Sequence, residues 1–279
     1  MTRKMKSNLE VAGIYLVVII MFVVILYPIL WTLGASFNRS TSLATASLIP
    51  EVATLAHYEW LFGQSSLYLT WYKNTLMVAA ANSIVATFLI ALVAYAFSRY
   101  RFVGRKNGMY MFLLLQMFPS LMAMVALYIV LNMFGLLNSL VGLTLIYIGT
   151  AIPLNAFLVK GYFDTIPREL DESAKLDGAG HFRIFFTIML PLAKPIIAVV
   201  ALFNFMGPFM DFILPRILLR SPENFTLAVG LFNLINNAYA NNFTRFAAGA
   251  ILIAVPIAAV FLFLQRYLIS GLSSGATKG

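Results

Sequence analysis

The stretch ESAKLDGAGHFRIFFTIMLP, from Glu172 to Pro191, decides how the rest of the chain is read. It lies in a charged island, Arg168 to Arg183, between two long apolar runs. Pro167 suits a first helical turn, Glu169, Asp171 and Glu172 favour the positive end of a helix dipole, and Gly178 suits a C-terminal stop. The spacing predicts a short helix over 167–177, a turn at Gly178-Ala179-Gly180 and a second segment running to Pro191. Asp171 and Lys175 stand at i, i+4, where opposite charges can pair. Leu170, Ser173 and Ala174 leave one side low enough for another protein to sit against. Two readings stay open on spacing alone: a docking surface for a soluble partner, or an ordinary interhelical loop with a surface helix.

The chain around the island is built for lipid. Of 279 residues 61% are hydrophobic and 10% charged, and the mean hydropathy is +0.89; a soluble domain carries about 25% charged residues. The absence of cysteine excludes a disulfide framework and a cysteine-based metal or redox site. Two histidines, His57 and His181, count against a histidine-rich metal centre. A net charge of +9 would suggest nucleic acid in a soluble protein. Here the basic residues sit mostly in short loops beside apolar runs, which is a topology signal and not a nucleic-acid surface. Met1–Lys6 precedes an apolar run from Val11 to Leu33 with no small-residue cleavage site, so the run is expected to be retained as a first span.

A helix needs about 20 apolar residues to cross the hydrocarbon core. Six segments qualify: 12–35, 75–98, 108–133, 139–160, 188–213 and 246–269. The expectation is an all-α membrane protein with six transmembrane helices, one membrane domain over 1–279 with core spans at 75–269, and a cytoplasmic loop at 164–187 between spans four and five. Trp60, Tyr68, Trp71 and Tyr72 fit an interfacial aromatic belt. Thirteen Lys and Arg fall on the side of both termini and the Glu172 segment, against five on the other, with Lys194 near an edge. The positive-inside rule therefore places both termini and that segment in the cytoplasm. Ala250, Ala254 and Ala258, and Ala79 with Ser83, recur at four-residue spacing and mark expected helix packing. Pro191, Pro195, Gly207 and Pro208 predict a kinked fifth span.

Glu172, Ala174, Gly178, Ile188, Leu190 and Pro191 resemble the signature of binding-protein-dependent ABC importer permeases: Glu-Ala-Ala, three residues, Gly, nine residues, Ile-x-Leu-Pro. Ser173 replaces the first Ala of the alanine pair, small for small. Thr226-Leu227-Ala228-Val229-Gly230, the ending Gln265 to Leu272 and the terminal Lys278-Gly279 look closest to the MalG-type subunit of maltose and maltodextrin importers. The resemblance implies a prokaryotic inner-membrane permease that is half of a pore completed by a second, MalF-type permease subunit. It implies an ATPase subunit dimer that binds ATP and Mg and docks on Glu172, Ser173, Ala174, Gly178, Ile188, Leu190 and Pro191. It also implies an extracytoplasmic sugar-binding protein that delivers the oligosaccharide. The chain itself is then no enzyme and holds no cofactor, and no Gly-x4-Gly-Lys-Ser/Thr phosphate loop occurs in it.

Polar groups at membrane depth are functional candidates: Asn82, Gln116, Asn155, Asn204 and Asp211. Phe203, Phe205 and Phe209 interleave with the last two. Aromatic faces with amide and carboxylate groups suit a neutral oligosaccharide, so Asn204, Phe205, Phe209 and Asp211 are the expected substrate path. The asparagine-rich loop from Ser221 to Thr244 is expected outside, either meeting the binding protein or serving as a solvated connection. Maltose or maltodextrin is the expected cargo, a galacto-oligosaccharide the rival. An ion-driven carrier would need ionisable relays in its spans, and only Asp211, at a span end, offers one.

Overall fold

The computed structural model describes residues 3–42, 47–236 and 241–276, with Asn237, Lys278 and Gly279 outside them. The chain runs through α1 (Arg3–Ser36), α2 (Ala56–Phe62), α3 (Tyr68–Arg99), α4 (Arg105–Met117), α5 (Ser120–Met133), α6 (Leu140–Asp164), α7 (Glu169–Leu176) and α8 (His181–Ile184). A π turn (Phe185–Met189) leads into α9 (Leu190–Leu192), α10 (Lys194–Met210), α11 (Ile213–Leu218), α12 (Leu227–Phe232) and α13 (Phe243–Ala276). Among the described residues the extended structure is one isolated bridge, Asn38 to Ala53.

Four helices, α1, α3, α6 and α13, are long and apolar enough to cross a membrane unaided. Two more spans are broken: α4 and α5 meet at 103°, and the α8–α9 segment meets α10 at 83°. Counted as one span each, these pairs bring the total to the six expected. The third span is nevertheless not the continuous helix expected over 108–133. Phe118 is extended, with ψ 127, because the ring of Pro119 disfavours the helical region for the residue before it. The fifth span bends at Ala193, just before Pro195 at the start of α10, whereas Pro208 stays inside that helix. The π turn falls immediately before Pro191, and Leu190 N–H donates to the Phe185 carbonyl. That wider turn relieves the clash a proline ring makes with the carbonyl four residues back.

The chain's contacts gather in two units, Met1–Tyr68 with Leu231–Ala254, and Leu69–Gly230 with Val255–Gly279. In the first, the apolar residues 11–25 of α1 are all exposed, so lipid or another chain must cover them on every side. Elsewhere in that unit Tyr68 OH donates to the Gly249 carbonyl at 3.0 Å and Arg245 stacks 4.0 Å from the Trp60 ring centre. A Cβ on Gly249 would lie 2.4 Å from Leu231, and Ala247 and Ala248 are buried beside it. The packing surface of α13 is therefore this triplet, and the expected stripe is displaced: Ala254 and Ala258 are exposed.

In the second unit α3 is the central helix. Ala86, Ile90, Ala94 and Tyr95 pack with Ala156, Val159 and Phe163 of α6 and with Ile184, Phe185, Met189 and Val200 further on. Lipid gives helices no hydrophobic drive to associate, so close approach of small residues and hydrogen bonds must hold them. Ala79 is fully buried, and Ser83 Oγ donates to the Ala201 carbonyl at 2.8 Å, as the small-residue spacing on this helix predicts. Because α3 starts at Tyr68, Trp71 is not a belt residue. It is buried and donates its indole N–H to the Pro222 carbonyl at 2.8 Å.

Candidate functional site

The signature segment folds as a helix, a turn and a second helix. α7 begins at Glu169, two residues after the predicted start at Pro167, with Glu169, Asp171 and Glu172 in its first turn. It ends in a Schellman closure. Gly178 N–H donates to the Lys175 carbonyl at 3.0 Å, Ala179 N–H to the Ala174 carbonyl at 2.9 Å, and Gly178 sits at φ +78. A Cβ there would meet nothing within 4 Å, so the glycine is required by backbone conformation and not by space.

The expected Asp171–Lys175 pair gives way to a buried one. Asp171, 5% exposed, turns inward and pairs through Oδ2 with Arg99 Nε at the end of α3. Further polar ties surround the pair. Arg99 Nη2 donates to the Ile166 carbonyl at 2.8 Å, Ser98 Oγ to Asp164 Oδ1 at 2.7 Å, and Arg168 Nη2 to the Ser98 carbonyl at 3.4 Å. Lys160 pairs with Asp164 one turn along α6. The end of α3, the end of α6 and the start of α7 thus form one charged knot. Arg99 counts in the sequence only as a topology charge; its partner lies far along the chain.

The signature residues divide between two jobs. Ala174, Ile188 and Leu190 pack against the core built on α3 and α6. Glu172 and Ser173 face outward, beside Leu176 at 90% exposure and Phe182 at 77%. The low side expected from Leu170, Ser173 and Ala174 is therefore only half right, since Ala174 belongs to the inner face. What remains outside is a small acidic and apolar surface on a helix anchored from behind.

The substrate-path candidates separate too. Asn204 is buried against α3: its carbonyl accepts from Asn82 Nδ2 at 2.7 Å and its own Nδ2 donates to Thr87 Oγ1 at 3.3 Å. Phe205 and Phe209 are buried, with ring centres 5.5 Å apart. Asn155 bonds back to its own helix, at the Ala151 carbonyl. None of these groups lines the cavity that Asp211 joins. Asp211 lines that cavity, of about 560 Å³, with Gln116, Tyr147 and Thr150, a grouping in which Tyr147 was not foreseen. Tyr147 OH donates to Asp211 Oδ2 at 2.9 Å, while Ile213 N–H, at 3.0 Å, and Leu214 N–H, at 3.3 Å, hold Oδ1. The carboxylate is fixed at the start of α11 and presents polar atoms beside apolar walls.

The segment after Ser221 is only partly a solvated loop. Asn74 Nδ2 donates to the carbonyls of Glu223 at 2.7 Å and Phe225 at 3.0 Å, and Leu227 N–H donates to Thr75 Oγ1 at 2.7 Å. α12 then packs so tightly that a Cβ on Gly230 would lie 2.1 Å from the Trp71 ring. Two of the asparagines are internal fasteners: Asn224 donates to the Asn138 carbonyl at 2.7 Å, and Asn242 Oδ1 accepts from Arg245 N–H at 2.8 Å.

Residues 83–274 match the family of binding-protein-dependent transport system inner membrane components. The chain is 48% identical to the galactooligosaccharides transport system permease protein GanQ of Bacillus subtilis, covering 99% of this chain and 98% of that one. It is 47% identical to the maltodextrin transport system permease protein MdxG of the same organism, over 95% of each chain. Among solved structures, a bacterial ABC transporter involved in the import of the acidic polysaccharide alginate superposes with a TM-score of 0.78 at 23% identity, over 96% of this chain and 98% of that chain.

Proposed function

Because the chain belongs to the family of binding-protein-dependent transport system inner membrane components, we propose that the outward face of α7 seats a separate ATPase subunit and couples it to sugar movement. The chain is a permease subunit of an ABC importer. The observation that carries the coupling reading is the division of the signature. Ala174, Ile188 and Leu190 pack inward on the core while Glu172 and Ser173, with Leu176 beside them, are left outside for another protein, and Asp171 ties α7 to the end of α3. Closure of an ATPase dimer that holds two nucleotides would push this helix, and the buried Arg99–Asp171 pair would pass the movement to α3. ATP and Mg belong to that partner. A second permease subunit completes the path, and an extracytoplasmic binding protein loads it. Both termini and α7 face the cytoplasm.

The cargo is a neutral oligosaccharide of the maltodextrin type. Asp211, Tyr147, Gln116 and Thr150 offer it hydroxyl, amide and carboxylate partners beside apolar walls. A galacto-oligosaccharide is the second reading, favoured by the likeness to GanQ. Reconstitution with the neighbouring permease, ATPase and binding protein, followed by ATP-dependent uptake of labelled maltodextrins and galacto-oligosaccharides, tests both. Uptake of galacto-oligosaccharides alone overturns the maltodextrin assignment, and uptake without ATP overturns the importer. Orientation is tested on the cysteine-free chain: Asn107→Cys and Glu223→Cys should react with an impermeant thiol reagent from opposite faces.

A further inference from the structure

Between α3 and α4 the chain turns through Gly104, at φ +88, and leaves a cavity of about 600 Å³ whose walls include Phe102, Arg105, Lys106, Tyr110, Phe157 and Lys160. We propose that this cavity binds the phosphate-bearing headgroup of an anionic phospholipid, with Lys106 and Arg105 as the recognising cations. No acid is among the residues lining it. Arg105 is held in place by neutral groups, its Nε donating to the Phe97 carbonyl at 2.6 Å and its Nη2 to the Ser98 carbonyl at 3.0 Å. Those bonds orient the guanidinium without cancelling its charge, and the nearby acid, Asp164, makes no direct ion pair with it among the described residues. Lys106 makes no ion pair among the described residues, whereas Lys160 shares its charge with Asp164. Among the described residues, Lys106 and Arg105 therefore line one pocket without an ion pair of their own, beside Lys160, although Asp164 lies within electrostatic reach of Arg105 as well as Lys160.

The apolar half of the lining identifies the anion as a lipid. Phe102, Tyr110 and Phe157 are all exposed, which serves no purpose for a soluble phosphate. One helical turn beyond Tyr110 lies exposed Leu114, and one turn from Phe157 lies exposed Leu154. Each helix therefore carries an apolar track leading away from the basic pocket along a face exposed in this chain. A phospholipid fits this layout, phosphate in the pocket and acyl chains along α4 and α6. Basic pockets between spans at the membrane surface take anionic headgroups in this way, each nearby cation contributing about a fivefold gain in binding. The inference needs the chain to sit in a membrane but not the sugar or the coupling assignment.

The test is lipid retention by the purified membrane complex in detergent, equilibrated with mixed micelles of phosphatidylglycerol and phosphatidylcholine and read by native mass spectrometry. Wild type should keep phosphatidylglycerol in preference to phosphatidylcholine. Lys106→Gln should cut that preference roughly fivefold, Lys106→Gln with Lys160→Gln further, and Lys106→Arg should preserve it. Phe157→Ala should weaken retention of both lipids. Equal retention of the two lipids by wild type, or a preference untouched by the double substitution, overturns the site. Displacement of phosphatidylglycerol by millimolar inorganic phosphate would assign the pocket to a soluble anion and overturn the lipid. These side chains are exposed or half-exposed, so a monodisperse complex is expected for each variant, and the readout involves neither sugar nor ATP.

Discussion

The two ends of α3 are both fastened to chain that comes much later in the sequence, but by opposite chemistry. At one end Trp71, Asn74 and Thr75 bond neutral side chains to the backbone of 222–227. At the other, Arg99 meets Asp171 in a buried ion pair, with Ser98 and Arg168 tied around it. Neutral bonds to fixed carbonyls hold one geometry and are satisfied locally. A buried ion pair is of little net stabilising worth when intact, yet costs about 3–5 kcal/mol when one partner is removed. It therefore enforces that two elements move together, which suits the end at which we propose that a partner pushes.

The largest effect is expected from breaking that pair. Arg99→Leu leaves the Asp171 carboxylate buried and alone, and α7 should detach at a cost of about 3–5 kcal/mol. Hydrogen exchange over 164–177 should rise, and the ATPase should no longer co-purify. Arg99→Leu with Asp171→Leu should restore much of the protection, because an apolar pair of similar volume is often tolerated. Wild-type protection and attachment in the single variant would mean the two ends of α3 are fastened alike.

The turn at Gly178 sharpens the same contrast, since it redirects the chain from α7 to the fifth span. With open space around it, only the positive φ resists substitution. Gly178→Val should cost about 1–2 kcal/mol and uncouple ATP hydrolysis from uptake, whereas Gly178→Asn should be nearly silent, asparagine being tolerated in the left-handed region. Equal loss in both variants would show that steric space, not φ, sets the requirement.

What the sequence disclosed follows from how local each determinant is. Gly178, the acidic first turn and the spans are set within a few residues, so their chemistry is readable in order along the chain. The break at Pro119 was equally local, and the apolar run on both sides masked it. Arg99 with Asp171 is a tertiary choice between two acceptable partners, because Lys175 lies at the spacing that would also satisfy the aspartate. Asn204 posed the same ambiguity: an amide in an apolar helix reads alike whether it faces a sugar or, as here, Thr87 of a neighbouring helix. Asp211 was found for its charge, but Tyr147, which orients it, is one of 13 tyrosines and carries no mark.

At the neutral end of α3, Asn74→Ala removes two donors and leaves the Glu223 and Phe225 carbonyls short of partners, at about 1–3 kcal/mol. Thermal stability of the complex should fall while sugar imported per ATP stays at the wild-type value. A fall in that ratio instead would make this end part of the drive train and erase the distinction between fastening and coupling.

The smallest effect is expected in the cavity that Asp211 lines. Tyr147→Phe removes one donor from Asp211 Oδ2 but leaves the two backbone N–H groups on Oδ1. The loss is about 1 kcal/mol, since the freed oxygen can turn to water in an open cavity. Folding and ATPase attachment should be unaffected, because none of the groups that fasten α7 touches this site. What should change is discrimination. The carboxylate regains one acceptor position for a sugar hydroxyl, so relative uptake of long and short oligosaccharides should shift by a few-fold, up to about fivefold. Asp211→Asn, which keeps the acceptor at Oδ1 and puts a donor in place of Oδ2, should shift it the other way. If both variants transport the whole sugar panel in wild-type proportions, Asp211 caps α11 and nothing more, and the sugar path of this subunit lies elsewhere.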